Sequence, residues 1–308
     1  MGRVLMLFLD GVGLGVEDPS VNPLFAARMP ALRSLFGGEL PSLARSRMRS
    51  GAATVLPLDA TLGVPGFPQS GTGQTSLFTG VNGAAVAGKH FGPHPYSTLK
   101  PVIAERNIFR RLREGGRSSL FANAFPQRFF DYLRSPRGRM TVTTLSATTS
   151  GLPLLLAEDL ARGRAVSADI TNAGWLDLGY PEIPVIPPAE AGKRLSVFSR
   201  EHDFVLFEYW KTDYAGHAMD AREAVKVLET FDAMLRGIID SLDADGTLLL
   251  VTSDHGNIED LSTKSHTLNP VPLILYGAGG EEFAGRFGPG ADLTAVTPSL
   301  LEYIGGAL

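Results

Sequence analysis

The chain has no cysteine. That absence excludes disulfides, thiolate zinc sites, iron–sulfur clusters and cysteine nucleophiles together, and it fits a reducing compartment. Positive charge is not in excess either. The 28 Lys and Arg against 32 Asp and Glu leave a formal net charge of −4, so no global basic field recruits nucleic acid or an anionic membrane. Long apolar runs are missing. The opening run Val4–Leu9 is far too short for a membrane span, and no small-residue cleavage site follows it. It reads as a buried first strand, and the expected location is the cytoplasm. Repeats, low-complexity tracts and an obvious flexible linker are also absent. Histidine is scarce, at six residues.

The 308 residues have an ordinary globular composition, 44% hydrophobic, with 35 glycines and 21 prolines scattered along the chain. Such a chain can bury a substantial core. Scattered Gly and Pro point to tight turns and long loops rather than disorder. Apolar runs of strand length recur at Val4–Leu9, Phe204–Tyr209, Thr247–Thr252 and Val271–Tyr276, with further strands around Ala53–Leu58 and Ser118–Ala122. Helical patterns lie between them: Met29–Phe36, Gln74–Phe78 stopped by Gly80, Ile108–Arg113 capped by Asn107, Leu152–Ala161, Glu190–Arg200 and Thr297–Ile304. The clearest runs from near Asp220 to about Leu242, where Ala224, Leu228, Phe231, Leu235, Ile238 and Leu242 make one buried stripe. Strands alternating with helices predict an α/β fold. The rhythm is weakest over 130–185, the best place for a small cap inserted in a single domain spanning 1–308.

Acidic and imidazole side chains gather at the strand exits. Asp10 follows the first strand, where open α/β sheets bind ligands, although Asp-Gly is also a common turn. The run Gly11-Val12-Gly13-Leu14-Gly15 lacks the third glycine of a dinucleotide fingerprint, which sets NAD binding aside. Asp254-His255-Gly256-Asn257 places two adjacent metal-type ligands just after another strand. Asp213 and His217 are four residues apart, a spacing that puts both on one face of a helical turn. A helix-start Asp and an exposed His would give the same spacing. His266 takes its weight from company: three of the six histidines fall between 217 and 266, each beside an Asp or a strand boundary. His90, His94 and His202 show no comparable carboxylate pattern. Ser70 sits among small residues in Gln69-Ser70-Gly71-Thr72-Gly73, and a helix starting near Gly73 would point free N–H groups at a phosphate. Metal coordination turns a serine hydroxyl into a competent nucleophile. Thr72 is a rival for the same role, and an N-cap would equally use such a residue.

Taken in order, Leu9-Asp10-Gly11, Gln69-Ser70-x-x-Gly73, Asp213-x-x-x-His217, Asp254-His255-Gly256-Asn257 and His266-Thr267 before Pro270-Val271-Pro272 resemble the alkaline phosphatase superfamily. Within it they resemble the branch of cofactor-independent phosphoglycerate mutase and phosphopentomutase. The resemblance covers roughly 1–125 and 190–308. It implies a three-layer α/β sandwich, with a mostly parallel central sheet flanked by helices and a small or vestigial cap. It implies two divalent ions, Mn2+ or Zn2+. Asp10, Ser70, Asp254 and His255 would hold one, and Asp213, His217 and His266 the other; imidazole and carboxylate without thiolate permit either metal. The implied reaction is attack of Ser70 on a small-molecule phosphate ester, giving a phosphoserine that passes to water or to a second hydroxyl. Gln69, Gly71 and Asn257 are the candidate substrate contacts.

Two departures turn the expectation from mutase toward phosphatase or phosphodiesterase. Gln74 stands where the mutases usually carry a His after the glycine, and only about 55–65 residues remain for a cap, barely a small domain. Arg128, Arg134, Arg137, Arg162 and Arg164 are candidate binders of a distal anion in that segment. No Cys/Ser-x-Pro-x-Arg motif is present at Ser70, which argues against a sulfatase. A non-catalytic metal-binding or regulatory protein is the alternative of another class.

Overall fold

The structure is a computed structural model and describes residues 2–305. Among these, nine strands are β1 (Arg3–Leu9), β2 (Met48–Ser50), β3 (Ala53–Leu58), β4 (Ser119–Phe121), β5 (Ala124–Phe125), β6 (Leu155–Leu156), β7 (Phe204–Tyr209), β8 (Thr247–Thr252) and β9 (Val271–Gly277). Seven of them make one sheet in the order β2-β3-β9-β8-β1-β7-β4. β8, β1, β7 and β4 lie parallel side by side. β9 runs against both β8 and β3, and β2 runs against β3. Five of the seven strands therefore share one direction, so the sheet is mostly parallel, as expected. The reversal of β9 carries no sequence signal, because an apolar run has no direction written in it.

Continuous apolar strands arise because both sheet faces are covered. Successive side chains alternate between faces. Leu5, Leu7 and Leu9 enter one core with Val205, Phe207, Leu249 and Val251. Val4, Met6 and Phe8 enter the other with Phe204, Leu206, Leu248 and Leu250. Helices Pro30–Leu35, Pro188–Glu201 and Ala221–Ile239 cover the first; Ser70–Thr79, Leu99–Arg106, Ile108–Glu114 and Val296–Ile304 cover the second. Each fully buried Leu or Phe contributes roughly 1.5–3 kcal/mol, which holds β1 at the centre. The long helix also caps its neighbour. Buried Asp232 accepts from the amides of Ala31 and Leu32 at 2.9 and 2.8 Å, where the Pro30–Leu35 helix has no side-chain cap of its own.

Two segments differ from expectation. The helix placed near Gly73 begins at Ser70 and runs to Thr79, every residue of it buried. Its glycines give it little intrinsic propensity. Burial decides instead, and the hydroxyls of Thr75, Ser76 and Thr79 donate to carbonyls four residues back. The helix expected over Leu152–Ala161 is confined to Ala157–Ala161, because Leu155–Leu156 pairs with β5 and Pro153 stands before it.

A third, small core of Ala124, Leu160, Ala165, Trp175 and Ile183 stands apart from the two main ones. Between its members the Val142–Thr149 helix returns to the second main core through Val142 and Ala147. The Gln127–Arg134 helix has no buried residue. No helix among the described residues is long and apolar enough to cross a membrane.

Candidate metal centre

β8, β1 and β7 are neighbours and point the same way, so their carboxyl ends open side by side. Asp10 leaves β1, Asp254 and His255 follow β8, and β7 runs into the Lys211–Ala218 helix that carries Asp213 and His217. A bridge between Gly256 and Thr267 brings His266 to the same place. Two groups result. One ligand atom each from Asp10, Asp254 and His255 lie within 4.8 Å of one another, and so do those of Asp213, His217 and His266. The imidazoles of His255 and His266 stack with centroids 3.8 Å apart and join the two groups.

The three histidines are oriented alike. Nδ1 of His266 lies 2.6 Å from the Pro68 carbonyl, that of His217 3.1 Å from Lys264, and that of His255 3.3 Å from Gly256. A carbonyl only accepts, so each Nδ1 carries a proton, and Nε2 is the atom each ring turns to the centre, bare whenever that ring is neutral. His217 Nε2 and His266 Nε2 face each other at 3.1 Å, with the Asp213 oxygens 3.4 and 3.6 Å away. His255 Nε2 lies 3.4 Å from Asp10 and 3.6 Å from Asp254. Asp10 Oδ1 and Asp254 Oδ2 are buried without a hydrogen-bond partner. Lone pairs and carboxylates so gathered fit divalent cations.

Protonation follows the crowding. Burial, then the neighbouring Asp254 carboxylate, push Asp10 well above the usual carboxylate range, with His255 opposing. Burial likewise raises Asp254 against the pull of His255. For His255, burial acts downward, but Asp254 and the contact with Asp10 outweigh it and raise the imidazole to about 10. Burial and the charge of His255 lower His266 to about 4.

Ser70 Oγ is 3.1 Å from His255 Nε2, at the first turn of its helix. Thr72 Oγ1 is turned away, donating to the Gln69 carbonyl at 3.1 Å and accepting from the Phe91 amide at 3.3 Å. Gly11 allows the loop after Asp10 to pass the metal face: its φ is +69° and a Cβ there would meet Asp213 Oδ1 at 2.6 Å.

The Metalloenzyme superfamily model matches residues 190–307. A 2,3-bisphosphoglycerate-independent phosphoglycerate mutase of Desulforudis audaxviator is 34% identical over 111 residues, 34% of this chain and 21% of that protein. The corresponding mutase of Methylobacillus flagellatus is 31% identical over 135 residues, 41% of this chain and 26% of that protein. Alkaline phosphatase from the Antarctic bacterium TAB5 shares the fold with a TM-score of 0.57 at 13% identity, covering 99% of this chain and 98% of that one. Leishmania mexicana phosphoglycerate mutase gives 0.51 at 13% identity, over 100% and 96%. Residues 190–307 are thus similar to the Metalloenzyme superfamily, and the chain has an alkaline phosphatase-like fold. The chain spans only 21% and 26% of the length of those two curated relatives.

Other residues singled out in the sequence stand around this candidate centre in different ways. Gln69 precedes the Ser70 helix and its carbonyl accepts from Gly73 at 2.8 Å. Gly71 is packed against chain: a Cβ there would meet the carbonyls of His94 and Phe91 at 2.5 and 2.7 Å. The buried Asn257 amide donates to Asp213 Oδ1 at 2.6 Å and to its carbonyl at 3.1 Å, so it orients a ligand. Arg134, Arg162 and Arg164 pair with Asp131, Glu158 and Asp159, and Arg137 is exposed away from the centre. Arg128 alone of the five lines the cavity of about 710 Å³ that reaches Asp10.

Gln74, set against the mutases' His above, has a contact in the centre, and two further residues, Glu259 and Glu208, went unnoticed in the sequence. Gln74 Nε2 reaches Asp10 Oδ2 at 3.4 Å. Glu259 accepts from the amides of Gly13 and Asn257 at 2.9 and 2.7 Å, from Asn269 Nδ2 at 3.1 Å and from the Thr267 hydroxyl. One carboxylate thereby ties together the loops carrying Asp10, Asp254–His255 and His266. Glu208, a lone charge inside an apolar strand, is buried beside the cavity and accepts from Thr143 Oγ1 at 2.7 Å. Its place in Phe204–Tyr209 was the available signal.

Burial raises Glu208 to about 7, against the Thr143 hydrogen bond and with a smaller contribution from Asp254. The folded state thus keeps a proton that the unfolded chain, near 4.5, releases, and the fold is increasingly disfavoured as pH rises from 4.5 through 7. In chelator-treated protein, Glu208→Gln is therefore expected to match wild type near pH 4.5 and to exceed it by up to about 3 kcal/mol at pH 8. Urea unfolding at the two pH values checks this; equal stabilities at both would contradict it.

Proposed function

We propose that this protein hydrolyses phosphate esters through Ser70 with two divalent cations, Mn2+ or Zn2+. Asp10, Asp254, His255 and Ser70 would hold one, and Asp213, His217 and His266 the other. The observation that carries this reading is the pair of Nε2 atoms of His217 and His266, 3.1 Å apart beside Asp213. Both Nδ1 protons are spent on carbonyls, so neither ring has a proton to give the other, whereas a cation satisfies both. Bound cations would supply Lewis-acid charge that lowers the pKa of a nearby hydroxyl and neutralises phosphate oxygens.

The chain's own part follows from its geometry. Ser70 Oγ releases its proton to solvent and bonds to phosphorus as the ester P–O bond breaks; the departing alcohol takes up a solvent proton. Water then adds to phosphorus, the bond to Ser70 Oγ breaks, the serine hydroxyl is reprotonated and phosphate leaves. The amino end of the Ser70–Thr79 helix favours the phosphate's negative charge. The small core of 124–183 acts as the cap, with the 710 Å³ cavity between it and Asp10.

The mutase relatives favour a second reading, in which the phosphoserine passes its group to another hydroxyl of the same substrate. Chelator-stripped protein reloaded with Mn2+ or Zn2+ and assayed on phosphomonoesters, phosphodiesters and sugar phosphates separates them. Two bound ions per chain and free phosphate as product are expected. An isomerised ester in place of phosphate means a mutase. Two ions with no turnover leave a metal-binding protein, and full activity without metal overturns the proposal.

A further inference from the structure

The cavity that reaches Asp10 has walls unlike those of a site for a second anion. Its lining is mostly apolar and includes Phe125, Phe129, Tyr132, Trp175, Leu178 and Trp210. Its volume of about 710 Å³ is that of a small-molecule site. Phe129 and Tyr132 stand on the Gln127–Arg134 helix, which buries none of its own residues. Phe125 and Phe129 lie with ring centroids 4.6 Å apart. Trp175 is fixed from behind, its indole N–H donating to Ser167 Oγ at 2.7 Å. Trp210 and Tyr132, also in the lining, keep 44% and 42% of their surface exposed.

Charge points the same way. Arg128 and Lys211 are the cations of the lining, and Asp10, Asp169 and Glu208 are its acidic residues. Arg128 is the one arginine of the lining that could grip a distal carboxylate or second phosphate in bidentate fashion, and Arg134, Arg162 and Arg164 are paired with acids elsewhere. Aromatic walls instead offer stacking to a flat, uncharged ring.

We infer that this cavity is the leaving-group subsite and that it takes phosphate esters of planar aromatic alcohols or nucleosides, not phosphosugar acids. The inference rests on the phosphoryl-transfer reading for its chemistry, but its binding half is measurable alone. The chain has two tryptophans, Trp175 and Trp210, and both line this cavity, so intrinsic fluorescence reports its occupancy without catalysis. Zn2+-loaded protein is titrated with phenylphosphonate, adenosine 5′-monophosphate and 3-phosphoglycerate, and the two esters among these, with 4-nitrophenyl phosphate, are assayed for phosphate release.

Saturable fluorescence changes are expected with phenylphosphonate or adenosine 5′-monophosphate at concentrations at least about tenfold below any response to 3-phosphoglycerate, and Phe129→Ala should raise the aromatic midpoints about tenfold, within the range of one stacking contact. The stronger of the two aromatic probes tells an aryl from a nucleoside site. Trp210→Phe retains the signal if Trp175 senses the ring. A tighter response to 3-phosphoglycerate, no response to either aromatic probe, or an unchanged midpoint in Phe129→Ala overturns the inference. Aromatic binding without release of phosphate leaves the subsite standing and refutes the hydrolase instead.

Discussion

Ser70→Ala is expected to lower kcat/KM of the metal-loaded protein by at least about 10³-fold on its best phosphate ester, the scale on which removal of a covalent nucleophile acts. The loss should fall on kcat. Metal content is the second readout: an ion held by Asp213, His217 and His266 would not depend on Ser70 and should remain. Thr72→Val is the control. Its hydroxyl is already bonded to the Gln69 carbonyl and the Phe91 amide, and it faces away from both ligand groups. A loss within about tenfold is expected from disturbed packing alone. If Thr72→Val were silenced and Ser70→Ala active, the two roles would be exchanged.

Glu259→Ala should cost more stability than any other single change near the centre. It removes an acceptor from the Gly13 and Asn257 amides, Asn269 and Thr267 at once. Buried donors left without partners cost about 1–3 kcal/mol each, and the sum is less than additive because the loops relax together. At least about 3 kcal/mol is expected in urea unfolding of chelated protein. Because Asn257 in turn holds Asp213, metal affinity should also fall by about 10–100-fold, the usual effect of losing a group that orients ligands. Glu259→Gln keeps one acceptor and should lie between. Wild-type metal affinity in the stable remainder of Glu259→Ala would show that the carboxylate holds the loops but does not position the ligands.

The sequence made the strands legible because burial on both faces leaves an unbroken apolar run. The bounds of Ala53–Leu58, Phe204–Tyr209 and Thr247–Thr252 are those expected. Ligand-type residues stood out because they interrupt such runs at their ends, as at Asp10 and Asp254. What stayed hidden was set by tertiary contact. The Ser70 helix has glycines at its second and fourth residues and forms because the surrounding core encloses it. Leu155–Leu156 is a strand only because Ala124–Phe125 lies beside it. Glu259 looks like any loop acid until the three loops are seen to meet on it. The aromatic cavity draws on Phe129, Trp175 and Trp210, too far apart in the chain for any spacing to reveal.

The proposed hydrolysis passes through a covalent phosphoryl group carried by Ser70. Wild-type protein, loaded with Zn2+ and turning over a phosphate ester, is quenched in acid, digested and fragmented in a mass spectrometer. One phosphoryl group on Ser70 is predicted, present during turnover, lost once substrate is exhausted and missing from Ser70→Ala. Steady release of phosphate with no phosphorylated peptide, or with the group on Thr72, would contradict it.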